Sequence, residues 1–211
     1  MVAISDTHEL ENEIDLPDGD ILIHCGDWTY RGSEKAYLKA FNWFCEQSKR
    51  FKHTIFIMGN HDFSHNYFIN LFKNANIPNI HYLENSSIEI EGMKFYGCPN
   101  VSGLPRWNFN DDKDFTCWSR IPDDVEILIS HTPPLHILDE SEHYGSAALR
   151  EHIDYRLLNK NLKVNVFGHC HRDAGKQIEI TNDDGRNVLF VNASICDIEY
   201  KATNKPVVIE V

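Results

Sequence analysis

The chain has 211 residues, 42% of them hydrophobic, which is enough for one sizeable core and too little to make two ordinary domains the default. Residues 1–211 therefore read as one domain. Thirty-two acidic against 20 basic side chains give a formal charge of -12, which argues against a nucleic acid polymer as partner, because phosphate backbones are held by clustered Lys and Arg.

In chain order, Val2-Ala3-Ile4 is a short strand ending just before Asp6, and Asp20–His24 is a second strand. A helix follows over Ser33–Arg50. Ser33 and Glu34 make an N-cap-like start, and Leu38, Phe41, Phe44 and Cys45 form one apolar face. Thr54–Met58 is a third strand and His65–Asn74 a second helix, so strand and helix alternate as in right-handed parallel crossovers. Between Ile80 and Cys98 the apolar period becomes two, with Ile88 and Ile90 before the Glu91-Gly92 turn and Met93, Phe95 and Gly97 after it, which predicts a hairpin.

Asn100–Asp112 lacks periodicity and reads as a long loop near the site, since loops of this length in compact domains are often functional. A helix is expected over about Asp111–Ser119, with Asp111-Asp112-Lys113-Asp114 as its solvated, dipole-compatible start. Ile127–Ile129 and Val164–Phe167 are further strands, separated by a helix over about Ser146–Leu158. A second hairpin pairs Lys176–Thr181 with Asn187–Asn192 around Asp183-Asp184-Gly185, and Pro206–Val211 supplies a last strand. These antiparallel pieces are expected to form a second sheet packed on the first, with helices outside.

Residues of metal-ligating type follow the apolar runs. Asp6 and His8 come after the first, Asp27 after Ile21-Leu22-Ile23, Asn60 after Ile55–Met58, His131 after Ile127–Ile129, and His169 with His171 after Val164–Phe167. Open α/β sheets place their ligand sites outside the carboxyl ends of the strands, so all seven are aimed at one edge of one sheet. Two carboxylates, an amide and four imidazoles make an oxygen and nitrogen donor set that suits Mn, Fe, Zn, Ni or Co.

The order D-x-H, G-D, G-N-H-D, H and G-H-x-H resembles the calcineurin-like metallophosphoesterase superfamily. Tyr96-Gly-Cys-Pro99, Trp107-x-Phe-Asn110, His131-Thr-Pro-Pro-Leu135 and Val191-Asn-Ala-Ser194 extend the likeness, over nearly the entire chain, to its small metallophosphoesterase-domain-containing branch, which is similar to the class III cyclic nucleotide phosphodiesterases. The resemblance implies an α/β fold built as a four-layer αββα sandwich with two mixed β-sheets. It implies two divalent metal ions, with Mn first among the candidates. Asp6, His8 and His171 hold one, Asn60, His131 and His169 the other, and Asp27 bridges them. It also implies His61 as general acid, oriented by Asp62, and hydrolysis of small phosphodiesters, cyclic nucleotides among them, by a metal-bridging hydroxide. Two dications less two carboxylates leave a positive pocket for a phosphate anion inside an acidic protein. The competing reading is a nucleotide-binding or scaffold protein on the same fold with weak or no catalysis; the complete ligand set favours the enzyme.

Substrate contacts are expected from Asn60, His61, Trp107, Phe109 and His143. Trp107 and Phe109 either stack a nucleobase or anchor the long loop. His24, next to the site, and His143, in an irregular stretch, are the remaining histidines placed to meet substrate or ligands, while His53, His65, His81, His136 and His152 read as surface or packing residues. Met1 lies only five positions before Asp6, so the first strand is very short for the family. Six cysteines without a C-x-x-C pair read as reduced thiols. The amino terminus has no basic segment of a signal peptide and no window spans a membrane, so a cytoplasmic protein without membrane contact is expected.

Overall fold

The apolar runs are buried on both faces, and their alternation assigns one face to each of two layers. In the computed structural model, which describes residues 1–63, 65–111, 116–139, 144–158 and 160–211, β1 (Val2–Ile4), β2 (Ile21–His24), β3 (His53–Phe56) and β4 (Ile80–Tyr82) pair in parallel in that order. The second sheet contains β5 (Ser86–Ile90), β6 (Met93–Cys98), β7 (Ile127–Ser130), β8 (Val164–Phe167), β9 (Gln177–Thr181) and β10 (Asn187–Asn192), in the order β5-β6-β7-β8-β10-β9. A two-residue strand, β11 (Val207–Val208), closes the first sheet antiparallel to β1.

Ala3, Ile23, Ile55 and Ile57 of the first sheet meet Phe95, Ile129, Val166 and Val191 of the second in a dry layer between the sheets. The opposite face of the first sheet, with Leu22 and Phe56, packs on Phe44 of α1 (Glu34–Gln47) and Phe68 of α2 (His65–Ala75). The opposite face of the second sheet, with Leu128, Phe167 and Phe190, is covered by Leu149 of α3 (Ala147–His152) and by Ile153 and Leu157 of the π-helix that continues it. Helix, sheet, sheet, helix is the four-layer α/β sandwich with two mixed sheets. The N-caps are local chemistry: the Ser33 hydroxyl accepts from the Ala36 N–H at 3.2 Å and the Ser146 hydroxyl from the Leu149 N–H at 3.1 Å.

Three expectations need correction. The antiparallel pieces do not make a sheet of their own. Four parallel strands, β6, β7, β8 and β10, form the interior of the second sheet, and only its edges β5 and β9 are antiparallel, while the C-terminal strand joins the first sheet. Uniformly apolar runs such as Ile127–Ile129 carry no mark of which of two parallel sheets they enter. The helix expected over 111–119 falls partly outside the described residues, and what is described there is one 3-10 turn, Trp118–Arg120, anchored by the buried Trp118. The helix over 146–158 widens into a π-helix at Ile153–Leu157, where the Leu158 N–H reaches the Ile153 carbonyl at 2.8 Å.

Candidate metal centre

The candidate ligands do not share one edge of one sheet, as the strand ends lead one to expect, but come from both sheets. Asp6, His8, Asp27 and Asn60 follow β1, β2 and β3 of the first sheet, whereas His131, His169 and His171 follow β7 and β8 of the second. The carboxyl ends of the two sets converge, and an isolated bridge between Ser5 and Ser194 ties the sheets together beside them.

The backbone is strained where it turns toward the centre. Asp6 (φ 51°), His8 (φ 42°), Asp27 (φ 56°) and His169 (φ 70°) all lie in the left-handed region, which non-glycine residues seldom occupy and which clusters at functional sites. Gly168 lets the chain pass there, since a Cβ on it would collide with the Asp6 carboxylate and the Ser5 hydroxyl.

On one side, the Asp6 Oδ1 lies 3.3 Å from His171 Nε2 and 4.0 Å from His8 Nε2, while the two Nε2 atoms are 3.4 Å apart. The other Asp6 oxygen is already held by the His169 N–H and the Ser194 hydroxyl, each at 2.9 Å. On the other side, His131 Nε2 stands 3.3 Å from Asp27 Oδ2 and 3.0 Å from Asn60 Oδ1, with the His169 ring 5.1 Å away, centroid to centroid. Three groups of possible ligands result: Asp6, His8 and His171; Asp27, His131 and His169; and His8, Asp27 and His61. His8 and Asp27 each belong to two of them, and the group they share with His61 links the other two.

Three of the four imidazoles are held in orientation through Nδ1. His8 Nδ1 faces the Thr29 carbonyl at 3.3 Å, His131 Nδ1 the Cys25 carbonyl at 2.8 Å, and His171 Nδ1 the Asp197 carbonyl at 2.9 Å. A carbonyl only accepts, so each Nδ1 carries a hydrogen and each Nε2 is turned to the centre, the orientation that metal-binding histidines use. Each half of the centre thus brings carboxylate or amide oxygens and imidazole Nε2 atoms face to face in a buried space, with a cation between them, either a proton on Nε2 or a metal ion that replaces it. A cation satisfies that geometry, and the donors present fit a divalent metal.

The charge balance agrees. Burial by itself would raise Asp6, but the hydrogen bond and charge of His171 hold its carboxyl well below the usual range. Burial likewise opposes ionisation of Asp27, and His131 overrides it in the same direction. Against the cost of burial, Asp27 pushes His131 up to about 9, and Asp6 pushes His171 up to about 9. His8 and His169 have no carboxylate hydrogen-bonded to their rings, and burial draws each down to about 4.

Of the other residues singled out in the sequence, His61 lies at the centre. Its Nδ1 donates to the Tyr30 carbonyl at 2.9 Å, and its backbone N–H donates to Asp27 Oδ1 at 2.8 Å. Asp62 does not orient the His61 ring, contrary to expectation. Its Oδ2 accepts from the Asp27 and Gly59 N–H groups, both at 2.9 Å, and its Oδ1 from the Thr29 N–H and hydroxyl, both at 3.0 Å. Burial and the Asp27 charge raise the Asp62 carboxyl. Three backbone N–H donors favour the carboxylate against that rise, and the Thr29 hydroxyl, which can give its hydrogen to the His61 carbonyl at 3.2 Å instead, is the partner able to accept a carboxyl proton. Asp62 ties the loop after β2 to the loop after β3.

Trp107 reaches the site, its ring 4.4 Å from His61, but Phe109 packs beneath the loop against the helix-side core of the first sheet. His24 braces the loops from behind, with Nε2 at 3.1 Å from the Thr7 hydroxyl and Nδ1 accepting from the Gly26 N–H at 3.3 Å, and burial draws it down to about 3. His143 lies outside the described residues. Three groups around the site escaped the sequence reading. Asn108 donates to the Asp62 carbonyl at 2.6 Å and holds the long loop in place, and the rings of Tyr30 and Tyr200 lie 5.4 Å and 4.9 Å from that of His8. The only hint of Asn108 was its place in the Trp107–Asn110 motif; Tyr200 carried none. All six cysteines are free, and among the described residues no helix is long and apolar enough to cross a membrane.

The chain is similar to known proteins over nearly all of its length. Residues 1–173 match the family model for calcineurin-like phosphoesterases. The chain is 30% identical over 238 residues to human metallophosphoesterase domain-containing protein 1, covering 99% of this chain and 70% of that protein. A UPF0046 protein of Caenorhabditis elegans is 32% identical over 236 residues, covering 100% of this chain and 80% of that one. One solved crystal structure superposes with a TM-score of 0.66 at 17% identity, covering 94% of this chain and 90% of that chain, and shows the same fold. Matched over most of its length by the family model and from end to end by relatives of the metallophosphoesterase-domain branch, the chain belongs to the calcineurin-like phosphoesterase family.

Proposed function

We propose that the protein, with residues 1–211 acting as one domain, is a two-metal phosphoesterase that hydrolyses small phosphodiesters, cyclic nucleotides among them, with manganese as its metal. The observation that carries this reading is the buried convergence of two carboxylates, an amide oxygen and imidazoles that turn Nε2 to one centre. Asp6, His8 and His171 would hold one ion, Asn60, His131 and His169 the other, and Asp27 both. Bound there, the ions supply Lewis acidity toward the phosphoryl oxygens and a nucleophilic water at neutral pH.

The chain's own groups do the rest. His61 keeps its Nδ1 hydrogen on the Tyr30 carbonyl, so Nε2 is the atom free to pass a proton to the leaving alkoxide. Positioned proton transfer of this kind contributes roughly 10²–10⁴-fold. Trp107, against the His61 ring, limits the imidazole's freedom to turn away. A charge of -12 disfavours a nucleic acid polymer and leaves a small ester as the better substrate.

The test is turnover of bis-p-nitrophenyl phosphate and p-nitrophenyl phosphate by Mn²⁺-loaded protein, followed by 2′,3′- and 3′,5′-cyclic nucleotides. Faster diester hydrolysis, abolished by chelation, is expected. Metal-loaded protein that turns over none of these compounds would overturn the reading.

A further inference from the structure

The mouth of the centre carries groups that none of the roles above employs. Tyr200 lies with its ring 4.9 Å from His8, 5.2 Å from His171 and 5.0 Å from Tyr30, centroid to centroid. Both tyrosines keep an open face, with Tyr30 42% and Tyr200 36% exposed. Tyr200 is held in a left-handed conformation (φ 58°) that an aromatic residue adopts only under constraint. The constraint is visible. Its N–H donates to the Asp197 carbonyl at 2.9 Å, and the Asp197 carboxylate accepts from Glu199 and Lys201 N–H groups at 2.9 and 3.1 Å. That same Asp197 carbonyl receives His171 Nδ1, so the turn presenting Tyr200 is locked to a candidate ligand.

Arg31 is the second feature. Its guanidinium lies 4.7 Å above the Trp107 ring. Among the described residues it forms no ion pair and no hydrogen bond, although the chain carries 32 acidic side chains. Trp107 is already engaged by Arg31, by His61 at 4.4 Å and by Phe63 at 5.8 Å. It works as a platform, and the ring surface left for a ligand belongs to the two tyrosines. Held over the ring and without a hydrogen bond or ion pair among the described residues, the guanidinium keeps its N–H donors for an oxyanion.

We infer that Tyr30, Tyr200 and Arg31 form a subsite outside the metal centre that selects esters with an aromatic organic group, the tyrosines stacking its ring while Arg31 binds an anionic phosphate oxygen. The inference rests on the phosphoesterase reading for the identity of the anion.

Calorimetric binding of phenylphosphonate and methylphosphonate to the full-length, Mn²⁺-loaded protein tests it, because their C–P bonds are not hydrolysed and they differ only in the ring. Phenylphosphonate should bind about tenfold more tightly, the low end for one stacked ring. Tyr200→Leu should abolish that preference and leave methylphosphonate unchanged, Tyr200→Phe should keep it, and Tyr30→Leu should reduce it. Arg31→Met should weaken both ligands about tenfold and leave their ratio intact. Metal content of every variant is measured alongside. Equal affinity for the two phosphonates in the unaltered protein, a preference surviving both leucine variants, or an Arg31→Met protein binding normally would each overturn the subsite. Ring preference without ester hydrolysis would refute the enzyme and keep the subsite; hydrolysis without ring preference would do the reverse.

Discussion

Asp62→Asn is the most informative single change, because it separates a structural clasp from a catalytic partner. The carboxylate receives four hydrogen bonds, from Asp27, Gly59 and twice from Thr29. In asparagine one oxygen becomes an NH₂ group. If the remaining oxygen faces Asp27 and Gly59, the NH₂ meets the Thr29 N–H, and a buried donor is orphaned at about 1–3 kcal/mol. The three other bonds lose their charge assistance, roughly 1 kcal/mol each. Removing a buried charge repelled by Asp27 offsets part of this, leaving a net loss of about 2–4 kcal/mol. For a chain of this size that lowers Tm by roughly 5–15 °C. Thermal melts of metal-free protein, with metal content after reloading, measure it. Both should fall, while molecules that retain metal keep the leaving-group dependence of the unaltered protein, because the Tyr30 carbonyl holds the His61 ring. Stability within about 0.5 kcal/mol of the parent and full metal content would refute the clasp.

Gly168→Ala should abolish metal uptake at the Asp6 side and cost about 1–3 kcal/mol, since its methyl would displace the Asp6 carboxylate; elemental analysis and melting curves check both. His61→Gln should keep metal content and lower kcat about 10²–10⁴-fold for alkyl esters but far less for p-nitrophenyl esters, which leave without a proton, as a leaving-group series would show. Chelation should lower Tm, and Mn²⁺ at 100 times its Kd should return about 2.7 kcal/mol, roughly 5–10 °C, in a calorimetric titration. Phe68→Ala, removing a fully buried ring that meets Trp28 at 4.3 Å, should cost about 3–5 kcal/mol in a denaturant melt without altering metal stoichiometry.

Strand positions were legible because each apolar run ends in a polar turn, and the donor residues were legible because they stand at those ends. Which sheet a run enters was not legible: Ile21-Leu22-Ile23 and Ile127-Leu128-Ile129 have the same local pattern, and only the long-range register separates them. The role of Asp62 was misread for a related reason. Its neighbour in sequence is His61, but its partners are backbone groups of Asp27 and Thr29, more than 30 positions away. Tyr200 and Arg31 were invisible because a surface aromatic and a lone arginine become meaningful only when a turn sets them beside Trp107 and His8. The left-handed backbone at Asp6, His8, Asp27 and His169 likewise has no signature in residue type.

Because four donors come from one sheet and three from the other, the ions would act as rivets across the seam between the sheets, beside the bridge at Ser5 and Ser194. The aliphatic filling between those sheets, Ile57 and Ile129 among it, then serves as a shim whose thickness sets the spacing of the donors. Interior methyl groups far from any substrate become, in that sense, gauge blocks for the chemistry at the rim.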